Sequence, residues 1–134
     1  MSIGIVYLRP LRVLFVRKTG RYADSAQGAW TELLGLLDEH GVRQEFKAGY
    51  GVMHDDPETS DEDARRYDAC VSSEVAGDSP LARILPAQTI VGGVYLRLNH
   101  DGAATSIKPL LSQLRTEEVA RRGLTLDAKR PFLE

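Results

Sequence analysis

The sequence predicts an α+β domain made of two similar halves, and three observations carry that reading. Runs rich in Ile, Val, Leu, Tyr and Phe alternate with stretches of 3.6-residue apolar period, the marks of strands and amphipathic helices. Glycines stand just past both helical stretches, at Gly41 and Gly123, where a left-handed helix stop belongs. The order of elements is β-α-β-β followed by β-α-β, without a repeat strong enough for a solenoid. With 134 residues, 43% hydrophobic and 27% charged, the chain can bury a core without metal or disulfide support. Residues 1–134 are therefore expected to form one domain.

The first element, Ile3 to Arg17, is β-branched and apolar but interrupted by Pro10. It reads as an edge strand with a bulge or bend, because proline cannot donate to a ladder. Gly20 and Tyr22 close a loop, and Ser25 is placed to cap a helix with the apolar face Ala26, Ala29, Trp30, Leu33 and Leu37. Lys47 to Met53 and Arg66 to Ser73 follow as short strands. Between them Asp55-Asp56-Pro57 makes a turn, and Thr59 and Glu62 have capping-box spacing. Glu74 to Gln88, with Gly77, Pro80 and Pro86, lacks periodicity and reads as the loop between halves.

The second half opens with a strand over Thr89 to Asn99, where Gly92-Gly93 marks a bulge or a close backbone approach. A second helix is expected from about Thr105 to Arg122, with Pro109 in its first turn, where a missing amide donor does little harm. Leu124 to Glu134 reads as a last strand interrupted by Lys129-Arg130-Pro131.

Charge and motif content exclude several classes. Seventeen Lys and Arg against nineteen Asp and Glu give a formal charge of −2, with no basic block to neutralise phosphates, so direct nucleic-acid binding is not expected. Arginines at positions 9, 12 and 17 break the N-terminal apolar run, so neither a signal segment nor a membrane span is expected. A lone cysteine, Cys70, excludes an intramolecular disulfide and a cysteine zinc site and suits a reducing cytoplasm. On a strand it reads as a small buried apolar residue. His40, His54 and His100 have no metal-ligand spacing, and Asp55, Asp56 and Glu58 lack the pattern of a calcium loop. No metal or cofactor is expected: there is no GxGxxG, Walker or GxSxG pattern. Trp30 on the helix face, and Tyr50, Tyr67 and Tyr95 on strands, read from composition as core aromatics.

Five blocks nonetheless stand together in a particular order. They are Val16-Arg17-Lys18-Thr19-Gly20-Arg21-Tyr22 before a helix carrying Trp30; Gly51-Val52-Met53-His54-Asp55-Asp56-Pro57-Glu58-Thr59; Arg66-Tyr67-Asp68-Ala69-Cys70-Val71; Gly92-Gly93-Val94-Tyr95 with His100-Asp101-Gly102; and Arg130-Pro131-Phe132-Leu133-Glu134. Over most of the chain this series resembles the GyrI-like small-molecule-binding domain, the effector-binding module also found in AraC-type and MerR-type transcription activators. The resemblance implies two pseudo-twofold related β-α-β-β units whose antiparallel sheets form a groove flanked by two helices. It also implies ligands that are amphipathic, often aromatic and cationic, and it matches the family's last-strand glutamate to Glu134. A carboxylate in an apolar, aromatic-lined cavity has few water partners and favours a delocalised cation whose bulk also buries apolar area.

On that resemblance the expected function is a stand-alone sensor or drug-sequestering domain. Glu134 would be its buried anionic anchor, with Trp30, Tyr95, His54 and Tyr50 as candidate walls. Tyr50 and His54 share strand parity, so if one lines the groove the other should too. A second expectation is a hydrolase in which Glu134, with His54 or a tyrosine, opens strained electrophilic rings of DNA-alkylating natural products. A third is a protein that modulates DNA gyrase, for which no acidic stripe speaks. No helix-turn-helix module is expected ahead of the domain. The sequence departs from the family pattern at His54, where a tyrosine is common, at Ala103-Ala104, where an aromatic is frequent, and after Glu134, where the strand customarily continues to a tyrosine two residues on.

Overall fold

The computed structural model describes residues 2–76, 80–100 and 107–134. It is an α+β structure with antiparallel sheets and two main helices. The chain divides into two compact units, Leu11–Ile90 with Arg130–Glu134, and Met1–Pro10 with Val91–Lys129. Gly77, Asp101, Gly102, Ala103-Ala104 and Thr105, named above, lie outside the described residues.

The larger unit holds β2 (Leu11–Thr19), α1 (Tyr22–Glu39), β3 (Gly49–Met53), β4 (Arg66–Ser72), β5 (Ala87–Ile90) and β7 (Phe132–Leu133). The strands form one antiparallel sheet in the order β5-β2-β4-β3-β7. β2 is thus flanked on both sides, and the edge strand expected for Ile3 to Arg17 is instead two strands. Its first part, β1 (Ser2–Leu8), pairs elsewhere, and Pro10 stands in the break, where no ladder needs its missing N–H. α1 covers one face of the sheet with the buried ridge Ser25, Ala29, Leu33 and Leu37, spaced one turn apart. Its start lies three residues before the Ser25 cap expected from the sequence. Gly20, at φ 128°, turns the chain directly from β2 into the helix, a conformation that glycine adopts without a Cβ penalty. Ser25 is therefore an interior helix residue, and Arg21 stands at the N-cap without a side-chain capping bond, its guanidinium paired instead with Glu62 at 2.9 Å. Gly41, at φ 69°, ends the helix as expected.

The opposite face carries its own apolar layer of Val13, Phe15, Val52, Cys70 and Ile90, flanked by Leu11, Tyr50 and Leu133. The side-chain alternation of β2, β3 and β4 separates this layer from the helix-facing Leu14, Val16, Ala69 and Val71. The connector from β3 to β4 folds back on itself through Asp55. Its carboxylate accepts from the Arg66 side chain twice at 3.0 Å, and its backbone exchanges two bonds with the Tyr22 hydroxyl. A short 3-10 turn, Glu62–Ala64, is capped by Asp61 rather than by Thr59. The stretch read as a loop between halves contains two short helices, α2 (Ser73–Ala76) and α3 (Leu81–Ile84), the latter anchored by the fully buried Leu81.

The smaller unit pairs β1 with β6 (Gly93–Asn99) in antiparallel register from Ser2↔Asn99 to Leu8↔Gly93. A Cβ on Gly92 would come within 2.6 Å of Pro10 Cδ and 2.9 Å of the Leu8 carbonyl, so the glycine pair does mark a close backbone approach. The second helix is α4 (Ile107–Gln113), a π-helical turn (Leu114–Glu118) and α5 (Val119–Arg121), closed by Gly123 at φ 66°. Glu118 in the π turn is buried and paired with Arg121 at 3.2 Å and Arg122 at 3.5 Å. No helix among the described residues is long and apolar enough to cross a membrane.

Candidate functional site

Adjacent residues of β4 point to opposite faces of the five-stranded sheet, and each organises a polar cluster. Tyr67 faces α1. Its ring is almost fully buried, and its hydroxyl is the junction of a chain: Trp30 Nε1 donates to it at 2.8 Å, and it donates to Glu134 Oε1 at 2.5 Å. Burial and the neighbouring Glu134 carboxylate push the Tyr67 phenol up, so its proton stays in place as the donor to Glu134.

Two glycines make this chain of contacts possible. Gly49 and Gly51 both present their missing side chains to the α1 face, and the indole and carboxylate occupy the space. A Cβ on Gly49 would lie 2.9 Å from Trp30 Cζ3, and one on Gly51 would overlap the Tyr67 hydroxyl and lie 2.6 Å from Glu134 Cγ. Glu134 is drawn onto Gly51 by the backbone as well, since each N–H donates to the other's carbonyl, at 2.7 and 2.9 Å. Phe46 and Tyr22 add edge-on aromatic contacts to Trp30 and Tyr67, with centroids 6.3 and 6.2 Å apart. The result is one anionic oxygen held by a buried phenol beside an aromatic wall on a glycine floor. Such an arrangement can hold a positive charge against π faces.

Glu134 itself is exposed, which corrects the expectation of a buried anchor. The reason is its place: β7 is the outer strand of the sheet, and among the described residues no strand covers its far edge.

Asp68 faces the other way. Its side chain has no exposed surface, and four donor contacts surround it: Arg17 Nε at 2.7 Å, Arg17 Nη2 at 2.9 Å, His54 Nε2 at 2.6 Å and Gln88 Nε2 at 2.7 Å. Burial alone would raise this carboxyl, but the hydrogen bonds from Arg17, His54 and Gln88 outweigh it and hold the group down at about 2. The cluster ties β2, the residue after β3, β4 and β5 into one cross-sheet hub. Cys70 lies on the same face, where burial pushes its thiol up to about 12, so it is inert as a nucleophile.

The structure thus brings together two of the predicted residues, Glu134 and Trp30. Tyr50 and His54 do share a face, but it is the face opposite Trp30 and Glu134, with Tyr50 across from Cys70 and His54 on Asp68. Tyr95 belongs to the smaller unit, where its hydroxyl donates to the Val91 carbonyl at 2.6 Å. Tyr67, the junction, is read from composition as core, which its burial bears out. The signal for its second role is the Gly49-x-Gly51 alternation, two vacancies on one strand face. Among the described residues no group of His, Cys, Asp and Glu is arranged to hold a metal ion.

A cleft of about 370 Å³ lies apart from the Trp30–Tyr67–Glu134 chain, lined by Phe15, Val16, Glu32, Leu36, Ile84 and Pro86 among others. Its lining contains none of those three residues.

Comparison with known proteins bears on the fold and the family. No curated protein matches the chain. Among solved structures it is similar to SAV2435 bound to tetraphenylphosphonium, with a TM-score of 0.58 and 12% identity over 99% of this chain and 81% of that one. At that identity the likeness speaks for the fold. The model of the GyrI-like small molecule binding domain matches residues 1–134, and the chain belongs to that family.

Proposed function

We propose that this small-molecule-binding domain takes amphipathic aromatic cations, and that it holds them against Trp30 with Glu134 as the counter-charge. The observation that carries the reading is the Tyr67 hydroxyl, which joins the indole N–H and the glutamate oxygen in one chain. Tyr67 spends its proton on Oε1, and it is the side chain's one hydrogen-bond partner among the described residues. Oε2 is left for a ligand. A soft, delocalised cation suits this better than a compact ammonium, because it loses little hydration on meeting a ring face. The tetraphenylphosphonium held by SAV2435 has this chemistry and is the natural first probe.

Trp30 is the chain's single tryptophan, so its fluorescence reports directly on the site. Tetraphenylphosphonium should quench it saturably, whereas tetraphenylborate, of the same shape and opposite charge, should not. Glu134→Gln should weaken the cation by about tenfold or more, a loss of at least about 1.4 kcal/mol. Equal binding of both ions, or no effect of the substitution, would overturn the reading.

A second reading is hydrolysis, favoured by the protonated Tyr67 hydroxyl on Glu134. The carboxylate would take a proton from water as the water oxygen bonds to a carbon of a strained ring. The ring bond breaks, and its electron pair goes to the departing ring atom, which is then protonated. Consumption of an electrophilic cyclopropane by the protein, lost in Glu134→Gln, would support it; intact compound after long incubation would exclude it.

A further inference from the structure

The β2 strand is nine residues long, but β5 covers only its first part, from Leu11↔Ile90 to Leu14↔Ala87. One further bond runs from Phe15 N–H to the Pro86 carbonyl at 3.1 Å. The return bond cannot form, because Pro86 has no N–H. Beyond it the chain has already left the ladder: α3 ends at Ile84, directly before Leu85 and Pro86. By the alternation of an antiparallel ladder, the groups of β2 that face this side are those of Leu11, Val13, Phe15, Arg17 and Thr19. The Phe15 carbonyl is left against the Pro86 ring without a donor, and the Arg17 N–H and carbonyl face a position that no residue of β5 occupies.

That position lies in the cleft of about 370 Å³ described above, entirely within the larger unit. Val16 and Leu36 line one side of the open strand edge and Phe15 the other, with Ile84, 54% exposed, beside them. Backbone donors and acceptors at strand spacing, with apolar side chains on either side, match one kind of occupant. An extended polypeptide can meet both the hydrogen-bonding groups and, through its alternating side chains, the apolar walls.

We propose that this cleft binds an extended peptide segment of a partner protein as an added strand, antiparallel to β2 and in line with β5. The added strand would pair with the Arg17 N–H and carbonyl. A second copy of the chain fits poorly: the edge is set between α1 and the Ile84–Pro86 turn, so the second copy's own flanking helix would have to enter a cleft of about 370 Å³.

The test uses acetylated, amidated Lys-Thr-Val-Thr-Val-Thr-Lys and two variants, one N-methylated at its valine amides and one at its internal threonine amides. In the free protein the Arg17 amide should exchange with solvent much faster than that of Val16, and the parent peptide should slow it. One N-methyl variant should lose about tenfold or more in affinity and the other should keep it, since only alternate amides face β2. Ile84→Asp, at an exposed position, should weaken the peptide about tenfold and leave tetraphenylphosphonium binding unchanged. Absence of peptide binding at about 1 mM, equal affinity of the two N-methyl variants, or a concentration-dependent dimer that already protects Arg17 would each overturn the proposal.

Discussion

Tyr67 and Asp68 are neighbours in sequence and back to back in the sheet, and the difference between their surroundings sets what each can do. Tyr67 keeps its proton because a buried phenolate beside a carboxylate would be doubly disfavoured; Asp68 keeps its charge because donors surround it. Gly51 belongs to the Tyr67 side of this arrangement. Gly51→Ala should force the Tyr67 hydroxyl and Glu134 apart, costing about 2 kcal/mol in urea unfolding as an overpacked site does, and should weaken tetraphenylphosphonium. Gly35, in the middle of α1 with open space around its Cα, is the control. Gly35→Ala should raise stability by about 1 kcal/mol, the helix-propensity gain alone.

At the scale of elements, the Asp68 hub fastens strands that would otherwise meet only through backbone bonds and apolar contacts. Its effect on stability has a definite sign with pH. The carboxyl is lowered from 3.8 to about 2, so its contribution is fully present above the unfolded value and is lost as pH falls through the folded one. The linkage is worth about 2 kcal/mol. Urea unfolding of the wild type should weaken over that window, whereas Asp68→Asn should show a flatter profile there and lower stability at neutral pH. Removing the partner instead, Arg17→Met, leaves a buried carboxylate short of two donor contacts and should cost about 3 kcal/mol at neutral pH.

For the whole molecule, burial is unevenly shared between the two units. Every buried apolar residue among those described lies in the larger unit, and the one buried residue described in the smaller is Glu118. Ile5, Tyr7 and Val94 of the β1–β6 ribbon are instead more than half exposed. A two-stranded ribbon with so little covered surface is marginal by itself. Amide exchange should therefore be at least about tenfold faster along β1 and β6 than at Ala69–Val71 in β4. Equal protection of the two regions would contradict this account.

The sequence by itself determined the elements and the family. Its apolar periods located α1 and the strands, the glycines at 41 and 123 marked the helix ends, and the five ordered blocks pointed to the GyrI-like domain that the match over residues 1–134 shows. It also named Glu134 and Trp30. What only the tertiary structure decided is which face each strand residue takes and which strand lies beside it. Parity within β3 was legible, so Tyr50 and His54 could be paired, but their placement opposite Trp30 depended on where α1 packs. Tyr67 was legible as core and illegible as the junction, because its role comes from three segments meeting, α1, β3 and β7, far apart along the chain. Local sequence encodes periodicity and turn chemistry through nearest neighbours; a hydrogen bond between residues 67 and 134 exists only once the long-range ladder has closed.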